Sequence, residues 1–270
     1  MEIIGYLASL VIGISLGLIG GGGSILTVPV LVYLFGVEPI LATAYSLFIV
    51  GSTSLVGALP KYKQGLVNLK TAIIFGAPSI LAVFATRKYI IPLIPNEVFT
   101  IGDFVVTKSI LMMVLFAILM VFASISMIRT QKKPVENGNG EQKFNYPLIL
   151  LEGAIVGVLT GLVGAGGGFL IIPALVLLSK LPMKQAVGTS LLIIAAKSLI
   201  GFTGDLSHTA MDWKLLLIVT ALAIAGIFIG DRLSKKIDGD SLKKGFGWFV
   251  LVMGIYIIVQ QLFFPLGGGH

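Results

Sequence analysis

The chain of 270 residues contains no cysteine. Disulfide scaffolds and thiolate metal sites are therefore excluded, and nothing can be read about redox compartment. Charge is also scarce. Only 11% of the residues are Asp, Glu, Lys or Arg, against about a quarter in an ordinary soluble domain. A basic stretch after Met1 is missing as well (Met1-Glu2-Ile3-Ile4), so the start does not read as a cleaved signal peptide. No Gly-Lys-Ser/Thr follows any glycine run, which excludes a Walker-type phosphate loop. No Ser-His-Asp or paired-carboxylate arrangement falls inside an apolar segment, so an enzyme is not expected, and neither a metal nor a cofactor is called for.

What is abundant is apolar surface. The chain is 56% hydrophobic with a mean hydropathy of +1.03, the composition of a polytopic helical membrane protein whose partner is the lipid bilayer. The net charge of +7 then reads as basic cytoplasmic loops and not as a nucleic-acid surface. Apolar runs fall at about 3–19, 25–35, 40–58, 69–86 and 104–128, and again at about 147–163, 169–179, 184–202, 212–230 and 242–264. The expected organisation is a first transmembrane repeat over 1–128, a polar Gly/Asn-rich cytoplasmic linker over 129–146 and a second transmembrane repeat over 147–264. Residues 265–270, ending Gly267-Gly268-Gly269-His270, read as an appended tail.

The division into two halves rests on a duplication. Gly17-Leu18-Ile19-Gly20-Gly21-Gly22-Gly23-Ser24-Ile25-Leu26-Thr27-Val28-Pro29 recurs, 144 positions later, as Gly161-Leu162-Val163-Gly164-Ala165-Gly166-Gly167-Gly168-Phe169-Leu170-Ile171-Ile172-Pro173. The offset holds without a gap to Lys70 and Lys214, with 18 identities over 54 positions. Glycine runs are poor helix formers, and bare backbone in a membrane is tolerated only inside protein or along a watery cavity. Each run is therefore expected to break a helix away from lipid; close packing of helices through small residues is the alternative. Runs 25–35 and 169–179 would rise only about half of a ~30 Å hydrocarbon core as helices, and whether they cross tilted or turn back is left open.

Charge sets the orientation. If the first two segments of each half both cross, or both return, one face receives 14 of the 19 basic residues and the other only Arg87, Lys88, Lys108 and Lys214, with Lys197 inside a segment. The other pattern gives no bias. The positive-inside rule selects the first. Both termini then lie outside, and the repeats are inverted relative to each other. The expected fold is an all-α polytopic membrane protein of two inverted five-segment repeats, with Gly-rich broken or re-entrant helices near the midplane, in a prokaryotic inner membrane. Inverted repeats are the architecture of many secondary transporters, with the substrate held at the repeat interface.

The doubled glycine motif with its downstream proline, followed by Ala42-Thr43-Ala44-Tyr45-Ser46-Leu47 and Ala186-Val187-Gly188-Thr189-Ser190-Leu191, resembles the TauE/SafE sulfite exporter family. Lys197-Ser198-Leu199-Ile200-Gly201-Phe202-Thr203-Gly204-Asp205 and Met211-Asp212-Trp213 are similar to that family's second half. The resemblance covers about Gly5 to Gln260 and implies movement of small inorganic or organic sulfur anions such as sulfite, organosulfonates or thiosulfate. Coupling to a proton or ion is left open.

Candidate substrate-binding residues follow from anion chemistry. Gly20, Gly21, Gly22, Gly23 and Ser24, and likewise Gly164, Gly166, Gly167 and Gly168, should lead into helix N-termini at Ser24 and Phe169, where free N–H groups and the helix dipole favour an anion. Ser46, Thr53 and Ser54 in the first half, and Thr189, Ser190 and Ser198 in the second, supply hydroxyls; back-bonding to helix carbonyls is their plain structural alternative. Lys197 is the one basic residue within an apolar segment, a functional candidate by default, with snorkelling to the interface as the alternative. Glu152 reads as an interfacial carboxylate, and Asp205, His208 and Asp212 as loop residues. Two rivals to a secondary transporter remain open at this stage: a passive anion channel of the same fold, which needs no coupling gradient, and a membrane scaffold subunit, which no anion would stabilise.

Overall fold

The structure, a computed structural model, describes residues 2–101, 104–129, 146–164, 166–177, 181–206, 211–234 and 239–263. The linker and the tail lie almost wholly outside these, as do His208 and Ala165. Helices dominate the described residues. The first half holds α1 (Glu2–Ile19), a 3-10 turn (Gly22–Leu26), α2 (Thr27–Phe35), α3 (Pro39–Lys63), α4 (Leu69–Ala85) and α5 (Lys108–Arg129). The second holds α6 (Tyr146–Val163), α7 (Gly168–Leu177), α8 (Met183–Thr203), α9 (Trp213–Ser234) and α10 (Gly239–Phe263). Each helix of the second half is thus the repeat mate of the helix five before it.

Five of the described helical segments are long and apolar enough to cross a membrane: Pro39–Lys63, Leu69–Leu93, Lys108–Ile125, Met183–Thr203 and Trp213–Ser234. The chain is an integral membrane protein, and its burial pattern follows from lipid as the solvent. Ser46, Thr53, Ser54, Ser190 and Ser198 are fully buried, while Ile73, Leu81, Phe122 and Val252 face outward. By contrast α2 and α7 have 9 and 10 residues, a rise of roughly 14–15 Å, about half a ~30 Å hydrocarbon core.

Capping sets the helix starts. Glu38 accepts from the Leu41 N–H and Pro39 fills the first turn of α3. Asn68 accepts from the Thr71 N–H at the start of α4, and its repeat mate Asp212 accepts from the Leu215 N–H at the start of α9. The backbone N–H groups of these two caps reach across the halves: Asn68 donates to Thr189 Oγ1 and Asp212 to Tyr45 Oη. Tyr45 and Thr189 are themselves 144 positions apart, so one interaction is made twice.

Packing between the halves is reciprocal in the same way. Helix α1 lies along α9, and α6 along α4; α3 lies along α9, and α8 along α4; α3 packs on α8 and α5 on α10. Small residues set the close approach. Gly13 and Gly17 meet the backbone of α9 at Ala223 and Ile227, and their mates Gly157 and Gly161 meet α4 at Ser79 and Thr86. Helices α3 and α8 run antiparallel, since Gly188 faces Lys61, Gly57 faces Leu191, Gly51 faces Leu199 and Phe48 stacks near Phe202.

Two features depart from the reading of the sequence. The apolar run placed at 104–128 is not helical from its start. Glu97–Ile101 pairs antiparallel with Phe104–Thr107, and α5 begins only at Lys108; the β-branched and aromatic residues of these stretches suit a ribbon better than a helix. Helix α4 also does not end in a loop at 86. It continues through a π-helical turn, Thr86–Ile90, and a last turn at Ile91–Leu93, and Arg87 lies inside it, 1% exposed.

Candidate anion-binding site

The second glycine run sits between α3 and α8, and its backbone conformation is one that only glycine adopts readily. Gly164, Gly166 and Gly167 all have positive φ, from 63° to 72°. A β-carbon at Gly166 would press on Val50, Ile194 and the region of Ser198 Oγ; one at Gly167 would collide with Thr160 and lie 2.7 Å from Lys197 Nζ. Gly167 closes the start of α7 by accepting from the Leu170 and Ile171 N–H groups at 3.0 and 3.1 Å. The N–H groups ahead of those have no intrahelical carbonyl to reach, as at any helix start.

Lys197 is fully buried, which sets aside snorkelling. Its ammonium donates to Thr160 Oγ1 at 3.2 Å, and among the described residues no carboxylate lies within ion-pair distance of it. An ammonium has three donors, and an uncompensated buried charge is costly. Ser198 Oγ, buried beside the same run, has no hydrogen-bond partner among the described residues. The same holds for Ser46, Thr53 and Ser54 on α3. A helix start, a cation and a free hydroxyl thus surround Gly166–Gly168, an arrangement suited to a small anion.

The first run is built differently. It was expected to open onto a helix N-terminus at Ser24. Instead Gly22–Leu26 winds into the 3-10 turn, and α2 starts at Thr27 directly on it, so that α2 has no open N-terminus at the run. Gly23 packs against Ile12, Ser15 and Leu16 of α1, which holds the turn in place. Ser24 Oγ donates to Gly21 O at 2.7 Å. The runs still meet, because Gly21 and Gly168 touch backbone to backbone and Gly20 meets Val187. The remaining hydroxyls are engaged: Ser190 donates to Val187 O at 2.9 Å and Thr189 accepts from the Asn68 N–H. Lys197 has Thr53 as its repeat mate, so the site is asymmetric.

Sequence reasoning missed Arg87, counted among the outer cations, and missed the burial of Asp205, which does lie in the turn after α8. Both are buried, and Arg87 Nη1 lies 3.4 Å from Asp205 Oδ2 while donating to Thr43 Oγ1 at 2.9 Å. Lys108 was also counted as a loop cation; it is 8% exposed and donates to Ile91 O. A signal for Arg87 exists in the duplication. Continuing the 144 offset pairs Arg87 with Asp231 and Asp205 with Lys61, and Lys61 Nζ lies 2.6 Å from Asp231 Oδ1. The two halves therefore make the same ion pair with the charges exchanged, one at each end of the antiparallel α3–α8 pair. Glu152 is partly exposed on α6.

The family model for the sulfite exporter TauE/SafE matches residues 5–257. A probable membrane transporter protein of Xylella fastidiosa (strain 9a5c) is 29% identical over 254 residues, covering 92% of this chain and 91% of that protein. The probable membrane transporter protein YunE of Bacillus subtilis (strain 168) is 26% identical over 264 residues, covering 91% and 93%. The probable membrane transporter protein MJ0441 of Methanocaldococcus jannaschii is 34% identical over 117 residues, covering 41% and 44%. No solved structure matches the chain. With the match running through both glycine runs and nearly every helix, the chain belongs to the sulfite exporter TauE/SafE family of membrane transporters.

Proposed function

We propose that the chain is a secondary transporter of small sulfur-containing oxyanions such as sulfite, thiosulfate or organosulfonates, which it binds at Gly166–Gly168 with Lys197 and Ser198. The observation that carries this reading is the buried Lys197 ammonium, without a carboxylate partner among the described residues, beside the glycine start of α7. Membership of the sulfite exporter family supports the sulfur chemistry. Alternating access would come from one repeat rocking against the other. The antiparallel course of the repeat mates α3 and α8 supports an inverted relation between the halves, and the short α2 and α7 would meet near the midplane. Purified protein in proteoliposomes is expected to take up thiosulfate or sulfite with saturation and under an imposed ion gradient. Flux that neither saturates nor responds to a gradient would contradict the reading.

The basic residues give the orientation: Lys63, at the end of α3, faces the cytoplasm and Lys214, at the start of α9, faces outward. Both are exposed, and the absence of native cysteine makes them easy to probe. An impermeant thiol reagent on intact cells should label Lys214→Cys, and Lys63→Cys only after permeabilisation. Equal labelling of both without permeabilisation would remove the inverted arrangement.

A further inference from the structure

We propose that Arg87 is a second oxyanion-binding residue, held by Asp205 while empty, and that an arriving oxyanion with two oxygens on one centre takes the place of the Asp205 carboxylate. This rests on the anion reading of the α7 site and extends it toward the end of the bundle that carries the start of α3.

The guanidinium is fully buried and carries five N–H donors in a planar fork. Nη1 is engaged by Thr43; Nε and Nη2 have no hydrogen-bond partner among the described residues. Among the described residues nothing accepts from that fork in the bidentate manner that arginine favours. The carboxylate at 3.4 Å stands outside the range of about 2.7–2.9 Å for a formed charge-assisted bond. The repeat-related pair at the other end differs on both counts. Its cation is a lysine, and its approach is shorter, at 2.6 Å. The fold thus accepts a lysine–aspartate pair at the repeat-related place, and here stands an arginine with donors that no described residue uses.

Its surroundings point inward along the glycine run. A β-carbon at Gly164 would lie 2.6 Å from Arg87 Nη2, as one at Gly167 would lie 2.7 Å from Lys197 Nζ. The two glycines are three positions apart, at most about 11 Å of chain. Thr86 Oγ1, beside Arg87 in sequence, is buried without a hydrogen-bond partner among the described residues as well. The π-helical turn at Thr86–Ile90 is a local device that often marks functional positions in helices. Arg87 and Lys197 therefore stand beside two glycines of one run, Gly164 and Gly167, along which an anion would pass between them. The fork selects sulfonate, sulfate, sulfite or thiosulfate geometry; a spherical halide offers it no second oxygen.

Asp205→Asn removes the competing charge but keeps an oxygen for Arg87. It is expected to tighten sulfate and thiosulfate binding by about threefold to tenfold, measured by calorimetry on the purified full-length protein. Arg87→Lys keeps the buried charge and loses the fork, and should weaken both anions about tenfold while leaving chloride binding unchanged. A purely structural ion pair predicts that Asp205→Asn weakens binding or leaves it alone, and either result would overturn the proposal. If Asp205→Asn does not fold, Arg87→Lys decides, since wild-type sulfate affinity, or equal loss for sulfate and chloride, contradicts an oxyanion fork. Lys197→Met completes the panel. Loss of binding there with Arg87→Lys at wild-type affinity leaves the α7 site standing and removes Arg87; wild-type affinity in both removes the reading on which each depends.

Discussion

Gly167→Leu is expected to abolish anion transport while the protein still inserts into the membrane. Insertion is governed by the apolar segments, to which leucine adds rather than subtracts. The site suffers in two ways. Gly167 has φ of +67°, a region that costs an L-residue about 1–2 kcal/mol. Its β-carbon would then collide with Thr160, the residue that holds Lys197, and crowd the ammonium itself. The side chain would also occupy the space proposed for the anion beside the α7 backbone. The check is uptake by proteoliposomes, normalised to the amount of protein that is extracted as a single species in detergent. Wild-type rates would show that the run serves neither packing nor binding at this position.

The second large effect is expected at Lys197. Lys197→Met keeps chain length and apolar bulk and removes a buried, uncompensated charge, so the fold should survive and gain stability. Anion affinity should fall by about 1–3 kcal/mol, roughly 5- to 150-fold, the range for loss of a hydrogen bond to a charged group. Lys197→Arg keeps the charge but not the shape, and is expected to retain part of the binding. Calorimetry or ligand-dependent thermal shift measures all three proteins. Unchanged affinity in Lys197→Met would place the anion on helix ends and hydroxyls alone.

Much of this arrangement was legible before any coordinates. Hydropathy located the helices within a few residues, because lipid imposes one demand along a whole segment. The offset of 144 located the glycine runs and the helix mates, and Lys197 stood out as a charge among apolar neighbours. Conformation inside the runs was not legible. Whether four glycines form a 3-10 turn or a left-handed stretch is decided by what packs on them, Ile12, Ser15 and Leu16 in one half and Val50, Thr160 and Ile194 in the other. Arg87 escaped because it lies at the end of an apolar run beside an exposed Lys88, where hydropathy cannot separate a last helical turn from a loop. Its repeat position, opposite Asp231, was the available clue. Thr189 shows the converse: a hydroxyl that fits an anion site by type is used instead to receive the Asn68 cap, as Tyr45 receives that of Asp212.

Counterflow tests the central claim most directly, because a carrier exchanges its substrate across the membrane and a pore does not. Proteoliposomes preloaded with unlabelled thiosulfate and diluted into a trace of labelled thiosulfate are expected to accumulate label transiently above its equilibrium level, an overshoot that sulfite in the lumen also supports and that Lys197→Met lacks. Label that rises only to equilibrium at the same rate with or without internal anion would contradict alternating access and leave a passive anion pathway in its place.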